Sequence, residues 1–342
     1  MGRVKRIKYF TEEKKKLISP SNQKKYDKYL NSNIIKNRDV KDTTYKVYQN
    51  YMSHFLVYLA ENWDNLDLYS EEFMENAVDI MEGYISFLQE TLLNNKKVIN
   101  TKLSTVSSFY LWSLKRKYID RHPFDKQLDR MKGAQEEKII NSYYLDEEQM
   151  NLVTQTLNEE TKKYDIQDRL IWNIMLDSAN RVGAMSHLTL SALDLDNMVF
   201  EDIREKRGYK VEVIFEEKTK NMIEEWLEQR KDMDNLEVDA LFITKHKGEY
   251  RQMSKGTIQE RVKKIGEILG LDDFHSHCIR KTKLNDVYRS TGDLALAASL
   301  ANHKSVETTR QSYIKPQSKT EIREKIANLR KKNKEKKDEA SE

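Results

Sequence analysis

Four short stretches of the chain carry side chains able to hold a phosphate or move a proton. His277-Cys278-Ile279-Arg280 sets an imidazole and a guanidinium three residues apart, the spacing of one helix face. His303 stands in Ser299-Leu300-Ala301-Asn302-His303-Lys304-Ser305, and Thr308-Thr309-Arg310-Gln311-Ser312-Tyr313 ends in a tyrosine ten residues further on. Upstream, Ala179-Asn180-Arg181-Val182-Gly183 supplies a second arginine after an apolar segment. A guanidinium fork matches the oxygens of a phosphate bidentately. Imidazole titrates near working pH and suits proton transfer. A free phenol, with a pKa near ~10, needs a base and cationic neighbours before it attacks anything. Taken singly, each residue has a plainer use: Arg181 in a salt bridge, His303 at the surface or satisfied in a core, Tyr313 in packing. Their joint occurrence at compatible spacing is what needs explaining. Cys278 has no second thiol to pair with and reads as an apolar helical neighbour.

The elements that must position these groups are mostly helical. At 342 residues the chain suggests about two domains, and 3 Pro and 10 Gly leave few breaks. A hydrophobic share of 38% against 34% charged is polar but globular, and 18 Tyr, 10 Phe and 4 Trp are too much core material for disorder. One Cys excludes a disulfide framework and a cysteine-based zinc site, and suits a reducing cytosol. No apolar run reaches the roughly 18 residues of a membrane span, and no apolar segment follows the basic opening, so a soluble cytoplasmic protein is expected.

Between residues 42 and 124 the apolar positions recur at helical steps: Tyr45, Tyr48, Tyr51, Met52, Phe55 and Tyr58; then Met74, Ala77, Ile80, Met81 and Tyr84; then Ile85, Leu88 and Leu92; then Leu103, Val106, Tyr110 and Leu114. This predicts four helices in a compact bundle. Residues 125–143 are polar and read as a linker. Asp146 is a candidate N-cap for a helix ending near Asn158, and a second helix carries Ile166, Leu170, Ile171, Ile174 and Met175. Residues 198–203 and 211–215 are β-rich runs around the basic turn 204–210, a hairpin signal, and 241–244 read as another strand. Helix resumes over 257–269 and continues to a last segment in which Ser318 and Glu321 fit a capping box and Ile322, Ile326 and Leu329 form a narrow apolar stripe. That stripe wants a partner surface. The expected fold is mostly α with a small antiparallel β-sheet.

The net charge of +4, from 60 Lys+Arg against 56 Asp+Glu, hides local excesses. Residues 1–28 hold ten basic residues against three acids, and residues 323–337 hold eight against two. Lys96, Lys97, Lys102, Lys115, Arg116 and Lys117 bracket an apolar helix. Such clusters can neutralise phosphates or simply be solvated surface.

The order of an Arg, a Lys in a β-hairpin, His-x-x-Arg, His and Tyr resembles the tyrosine recombinases, also named the phage integrase family. The resemblance covers nearly the whole chain: a basic N-terminal arm over 1–41, a helical core-binding DNA-binding domain over 42–124, the linker over 125–143, an α+β catalytic domain over 144–330 and a charged tail over 331–342. It implies that Arg181 and Arg280 clamp the scissile phosphate, that Tyr313 is the nucleophile forming a 3′-phosphotyrosyl link, and that His277 is the general acid/base. It further implies that His303 hydrogen-bonds the phosphate and that Lys206 protonates the leaving 5′-oxygen, with Lys210 as the alternative. No metal or nucleotide cofactor is then required. The chain departs from the pattern at Ala184, where the family usually has a Glu buttressing the first Arg. It departs again at 178–180 and at Asn302, near positions where the family favours Gly, and in the charged Lys281-Thr282-Lys283 after Arg280.

The implied activity is site-specific recombination of double-stranded DNA by a phage or other mobile element inside a bacterial host. The resemblance implies a C-shaped clamp with Lys96, Lys97, Lys102 and Lys115 near phosphates. It also implies a tetramer on DNA exchanging its C-terminal helix between subunits, with accessory DNA-bending or directionality proteins as further partners and no membrane. Two alternatives share the fold or the chemistry: a DNA-binding repressor that no longer recombines, and a type IB-like topoisomerase.

Overall fold

The computed structural model describes residues 7–36, 42–133, 143–205, 209–233, 237–316, 319–320, 322–323 and 326–327. The chain divides into two compact units, Met1–Ile139 and Ile140–Glu342. Mostly helical secondary structure with small antiparallel sheets is what the apolar periodicity predicts.

The first unit is all helical. After the short α1 (Glu12–Lys15) come α2 (Pro20–Lys36), α3 (Asp42–Asn62), α4 (Glu71–Ser86) with a π-helical turn Phe87–Thr91, and α5 (Lys96–Lys115). Ser70 and Asn95 cap α4 and α5 by accepting from the Phe73 and Val98 amides at 3.1 and 2.9 Å. Phe55, Phe73, Tyr84 and Phe109 are fully buried at its centre. The bundle does have four long helices, but not the four expected from 42–124. Ile85, Leu88 and Leu92 continue α4 through the π turn instead of starting a helix.

The fourth helix is α2, from the stretch expected to be a free basic arm. Tyr9, Ile18, Tyr26 and Leu30 are buried in the same core. Asn22, 1% exposed, accepts from the Leu68 amide at 3.0 Å and donates to the Leu66 carbonyl at 2.9 Å. Lys14 pairs with Glu61 at 2.7 Å and Lys25 with Asp67. Those lysines neutralise the bundle's own acids, and residues 9–30 are structural. The start of the expected linker also packs here. Asn100 grips the Met131 backbone through two hydrogen bonds of 2.9 and 3.1 Å, and Leu128 and Met131 lie on the core.

The second unit is built around α7 (Ile166–Ser178), whose Leu170, Ile171, Trp172 and Ile174 are wholly buried. Before it lies α6 (Glu147–Glu159), where Asp146 and Gln149 form a reciprocal capping box. After it come α8 (Val182–Met185) and a three-stranded antiparallel sheet of β1 (Leu193–Asp194), β2 (Val199–Arg204) and β3 (Lys210–Ile214) in that order. The predicted hairpin is there, joined by an extra edge strand. Its register slips between Phe200 and Ile203, where Asp202 has φ +56. A second sheet pairs β4 (Ile243–His246) with β5 (Glu249–Gln252) across Lys247-Gly248, both at positive φ, as a two-residue hairpin turn demands. Helices α9 (Glu217–Lys231), α10 (Lys255–Gly266), α11 (Ser276–Thr291), α12 (Leu294–Leu300) and α13 (Val306–Tyr313) complete the unit. Arg261 of α10 holds the buried Asp168 of α7 at 2.8 Å, with Lys264 at 3.3 Å behind it. The capping box expected at Ser318 and Glu321 and the stripe residue Leu329 lie outside the described residues, while Ile322 and Ile326 are helical and exposed.

Two glycines of α10 should respond oppositely to one substitution. A Cβ on Gly266 would sit 2.7 Å from Phe274 Cγ, and Phe274 is 2% exposed and cannot yield. Gly266→Ala should therefore cost about 1–3 kcal/mol despite the better helix propensity of alanine. Gly256→Ala, whose Cβ meets only Ser254 Oγ at 3.6 Å, should gain up to about 1 kcal/mol. Urea midpoints of the two variants against the parent measure both signs.

Candidate active site

Chain breaks after two helices place the chemistry. Helix α7 ends at Ala179, which adopts the left-handed conformation at φ +50. Asn180 follows, 2% exposed, and Arg181 then opens α8. Helix α12 ends at Ala301, and Asn302 takes φ +52 before His303. Asparagine tolerates that region because it has a short polar side chain. Here the Asn302 side chain donates to Asn180 Oδ1 at 3.2 Å, while Asn180 donates to the Glu212 carbonyl of β3 at 3.2 Å. The residue before Arg181 and the residue before His303 are thus tied directly together.

Arg280, on α11, sits between these two breaks and is 2% exposed. It donates to the Ala179 carbonyl, to the Ala301 carbonyl at 2.7 Å and to His303 Nε2 at 3.1 Å. Its Nε–H is buried without a partner among the described residues. Tyr313, the last residue of α13, is 6% exposed, and its ring lies 5.1 Å from the Arg280 guanidinium. The ring centroids of His277 and His303 are each 4.9 Å from that of Tyr313. Ala179, Leu284 and Ala301 wall the phenol with apolar surface. So Arg280, His277, His303 and Tyr313 converge, although 36 residues of sequence separate the first from the last.

The hydrogen bonds fix the tautomer of His303. An arginine can only donate, so His303 Nε2 accepts and its proton sits on Nδ1. From there it donates to Thr309 Oγ1 at 2.8 Å. Burial first, then the guanidiniums of Arg280 and Arg181, pull the His303 pKa down to about 4. His277 is lowered to about 4 as well, by burial and then by Lys281 and Arg280. Both imidazoles are neutral at neutral pH, and His303 has both ring nitrogens engaged. The Cys278 thiol is buried, and His275 Nδ1 at 3.3 Å accounts for its polar contact.

Arg181 is oriented differently from Arg280. Its side chain is 37% exposed, and Nη1 donates to Glu205 Oε2 at 2.7 Å. Ala184, where a buttressing carboxylate was looked for, is fully buried and apolar. Glu205, Thr309, Asn180 and Asn302 are the site residues to which sequence reasoning gave no role; Thr309, Asn180 and Asn302 stand inside the quoted motifs, and Glu205 stands outside them in the basic turn. Lys206 lies outside the described residues. The alternative, Lys210, is exposed and committed to Asp202 at 2.5 Å.

The four lysines expected near phosphates divide. Lys97 and Lys115 are exposed and Lys96 is half-buried. Lys102 is 4% exposed, faces His54 Nδ1 at 3.5 Å and lies 5.9 Å from the Tyr51 ring centroid. It is a core lysine, with its pKa pulled by burial to about 8, and is corrected from a surface contact to a packed one.

Known proteins resemble this chain in sequence and in fold. The sequence model of the phage integrase family matches residues 143–320, a little over half of the chain. Tyrosine recombinase XerC of Staphylococcus saprophyticus is 24% identical over 266 residues, covering 78% of this chain and 84% of the relative. XerC of Staphylococcus aureus is 24% identical over 286 residues, covering 83% and 89%. Among solved structures, the Tn1549 transposon integrase in complex with circular intermediate DNA has a TM-score of 0.61 at 15% identity, covering 90% of this chain and 99% of that one. The lambda integrase tetramer bound to a Holliday junction has a TM-score of 0.61 at 14% identity, covering 92% and 85%. At such identities these structures establish the fold.

Two measurements test the site's electrostatics. With pKa values of about 4, His277 and His303 should show no imidazole titration by NMR between pH 8 and roughly pH 5. The unfolded chain binds those protons from about pH 6.5 downward, so unfolding takes up protons and stability should fall as pH drops from about 6.5 to 4. A His303 resonance titrating near 6.5 would contradict this. Thr309→Val removes the acceptor for the Nδ1 proton and should cost about 1–3 kcal/mol, with Thr309→Ser costing less than half as much in the same denaturation assay.

Proposed function

The chain belongs to the phage integrase family, and we propose that it is a site-specific DNA recombinase that cuts and rejoins strands through a covalent bond from Tyr313 to a DNA 3′-phosphate. The observation that carries this reading is the enclosure of the Tyr313 ring by two imidazoles at 4.9 Å each and a buried guanidinium at 5.1 Å. A protein that only binds DNA has no physical need for that assembly.

In this reading the phenol oxygen attacks phosphorus in line while the bond to the 5′-oxygen breaks. His277, a free base at neutral pH, accepts the phenol proton. Arg280 offers its unpartnered Nε–H, and Arg181 its open edge, to the non-bridging oxygens, where negative charge grows. His303 holds Arg280 in place through its accepting Nε2. Lys206 gives its proton to the leaving 5′-oxygen. The phosphotyrosine keeps the energy of the broken bond, and a 5′-hydroxyl from a partner strand attacks it to restore the phosphodiester and the phenol.

The same proposal assigns the second unit as catalytic and the first as the grip on double-stranded DNA, with Lys96, Lys97 and Lys115 near phosphates. It includes assembly of four copies on two duplexes. The exposed Ile322 and Ile326 face would be covered by a neighbouring subunit. We assign the target to a mobile element; the sequence of the captured site reads this out directly against a chromosomal locus.

Sheared, partly nicked DNA of the source organism should yield fragments that stay bound to the protein through detergent denaturation. Tyr313→Phe should yield none, and Arg280→Ala should lower the yield by about a hundredfold or more. Fragments recovered only under native conditions, equally with parent and Tyr313→Phe, would overturn the reading and leave a DNA-binding regulator.

A further inference from the structure

We propose that Glu205 is the positioning residue for Arg181, supplied by the β2–β3 hairpin, so that the docking of the hairpin and the aim of the guanidinium are set together. This inference rests on the recombinase reading above and deepens it.

The geometry is specific. The Glu205 side chain is 6% exposed, and its Oε2 takes the Arg181 Nη1–H at 2.7 Å. Its Oε1 is buried with no hydrogen-bond partner among the described residues. A carboxylate withdrawn this far from water has a strong interest in keeping its cation. Among the described residues only one nitrogen of the fork is engaged, and Arg181 remains 37% exposed, so the rest of the guanidinium is open to an anion there. An unpaired arginine at that exposure would sample many rotamers, and fixing it beforehand removes an entropic cost from phosphate binding. Among the described residues no other carboxylate pairs with Arg181. One turn after Arg181 stands Ala184, buried and without a polar atom.

The hairpin is fastened at a second point. The Glu205 amide donates to the Tyr209 carbonyl at 2.7 Å, closing the turn. The Tyr209 hydroxyl accepts from Lys304 at 2.9 Å, with the ammonium 4.4 Å from the ring centroid. Lys304 directly follows His303. The turn is thus held to Arg181 at one end and to the α12–α13 connection at the other.

The test measures covalent adduct formation on nicked genomic fragments, together with native retention of the same fragments, for the parent, Glu205→Gln, Glu205→Asp and Arg181→Lys, and for the double variant Glu205→Gln/Arg181→Lys. Glu205→Gln should slow adduct formation by about tenfold or more while native retention stays within about twofold, and Glu205→Asp should recover part of the loss. In the Arg181→Lys background the same change should alter the rate by less than about twofold, because its effect runs through the arginine. Loss of retention in proportion to adduct, an equal loss in both backgrounds, or no loss in Glu205→Gln would each overturn the inference. A gain in Glu205→Gln would also overturn it, by making the carboxylate an occluder. A parent that forms no adduct overturns the recombinase reading itself, and this inference with it.

Discussion

A guanidinium buried to 2% exposure, with no carboxylate paired to it among the described residues, is the constraint on which the second unit depends. The solvation Arg280 gives up is returned by carbonyls at the ends of two helices, Ala179 of α7 and Ala301 of α12. The last carbonyls of a helix have no intrahelical partner and carry the negative end of its dipole, so they suit a cation better than interior carbonyls would. The bargain works only if both helices stop there. Ala179 and Asn302 end them by turning left-handed, and the chain that leaves each stop delivers Arg181 on one side and His303 on the other. The spacing of the site along the sequence is therefore a consequence of where one buried cation needs acceptors.

That cation also sets the proton chemistry around it. It fixes His303 as an acceptor through Nε2 and, together with burial, keeps both histidines unprotonated. Charge in the site is then net positive, with Glu205 the carboxylate paired to Arg181. In the proposed reaction a phosphodiester would supply the missing negative charge. The apolar wall of Ala179, Leu284 and Ala301 lowers the local dielectric, which strengthens that attraction once water has been displaced.

Much of this was legible in the sequence where one short motif held the signal. His277 and Arg280 are three residues apart on a helix, and the fold needs nothing more to present both. The Asp146 cap and the hairpin were equally local. What was missed came from side chains whose meaning is set by a distant partner. Glu205 reads as one more acid in a charged turn until Arg181, 24 residues upstream, is brought to it. Lys102 reads as surface in a basic cluster until Tyr51 and His54 of α3 close over it. Helix α2 was hidden by its lysines. Among its described side chains the apolar face is Tyr26 and Leu30 with Tyr29 beside them, set among polar neighbours, and long lysine stems can flank such a narrow stripe without disturbing it.

The departures from the family pattern look like erosion when read one by one, and the structure gives them a local compensation instead. An alanine at φ +50 costs about 1–2 kcal/mol relative to a right-handed residue, which glycine would avoid. Its methyl, however, is fully buried beside Leu284, Ala301 and Tyr313, and returns a comparable amount through packing. At Asn302 the side chain that tolerates the left-handed turn is also the one that reaches Asn180. At Ala184 the lost carboxylate has a counterpart in Glu205. Random decay would leave buried charges unpaired and left-handed residues unsupported. Here three of the departures, at Ala179, Asn302 and Ala184, are each met by a contact close to Arg280 or Arg181, which is what continued demand for a positioned guanidinium pair would preserve.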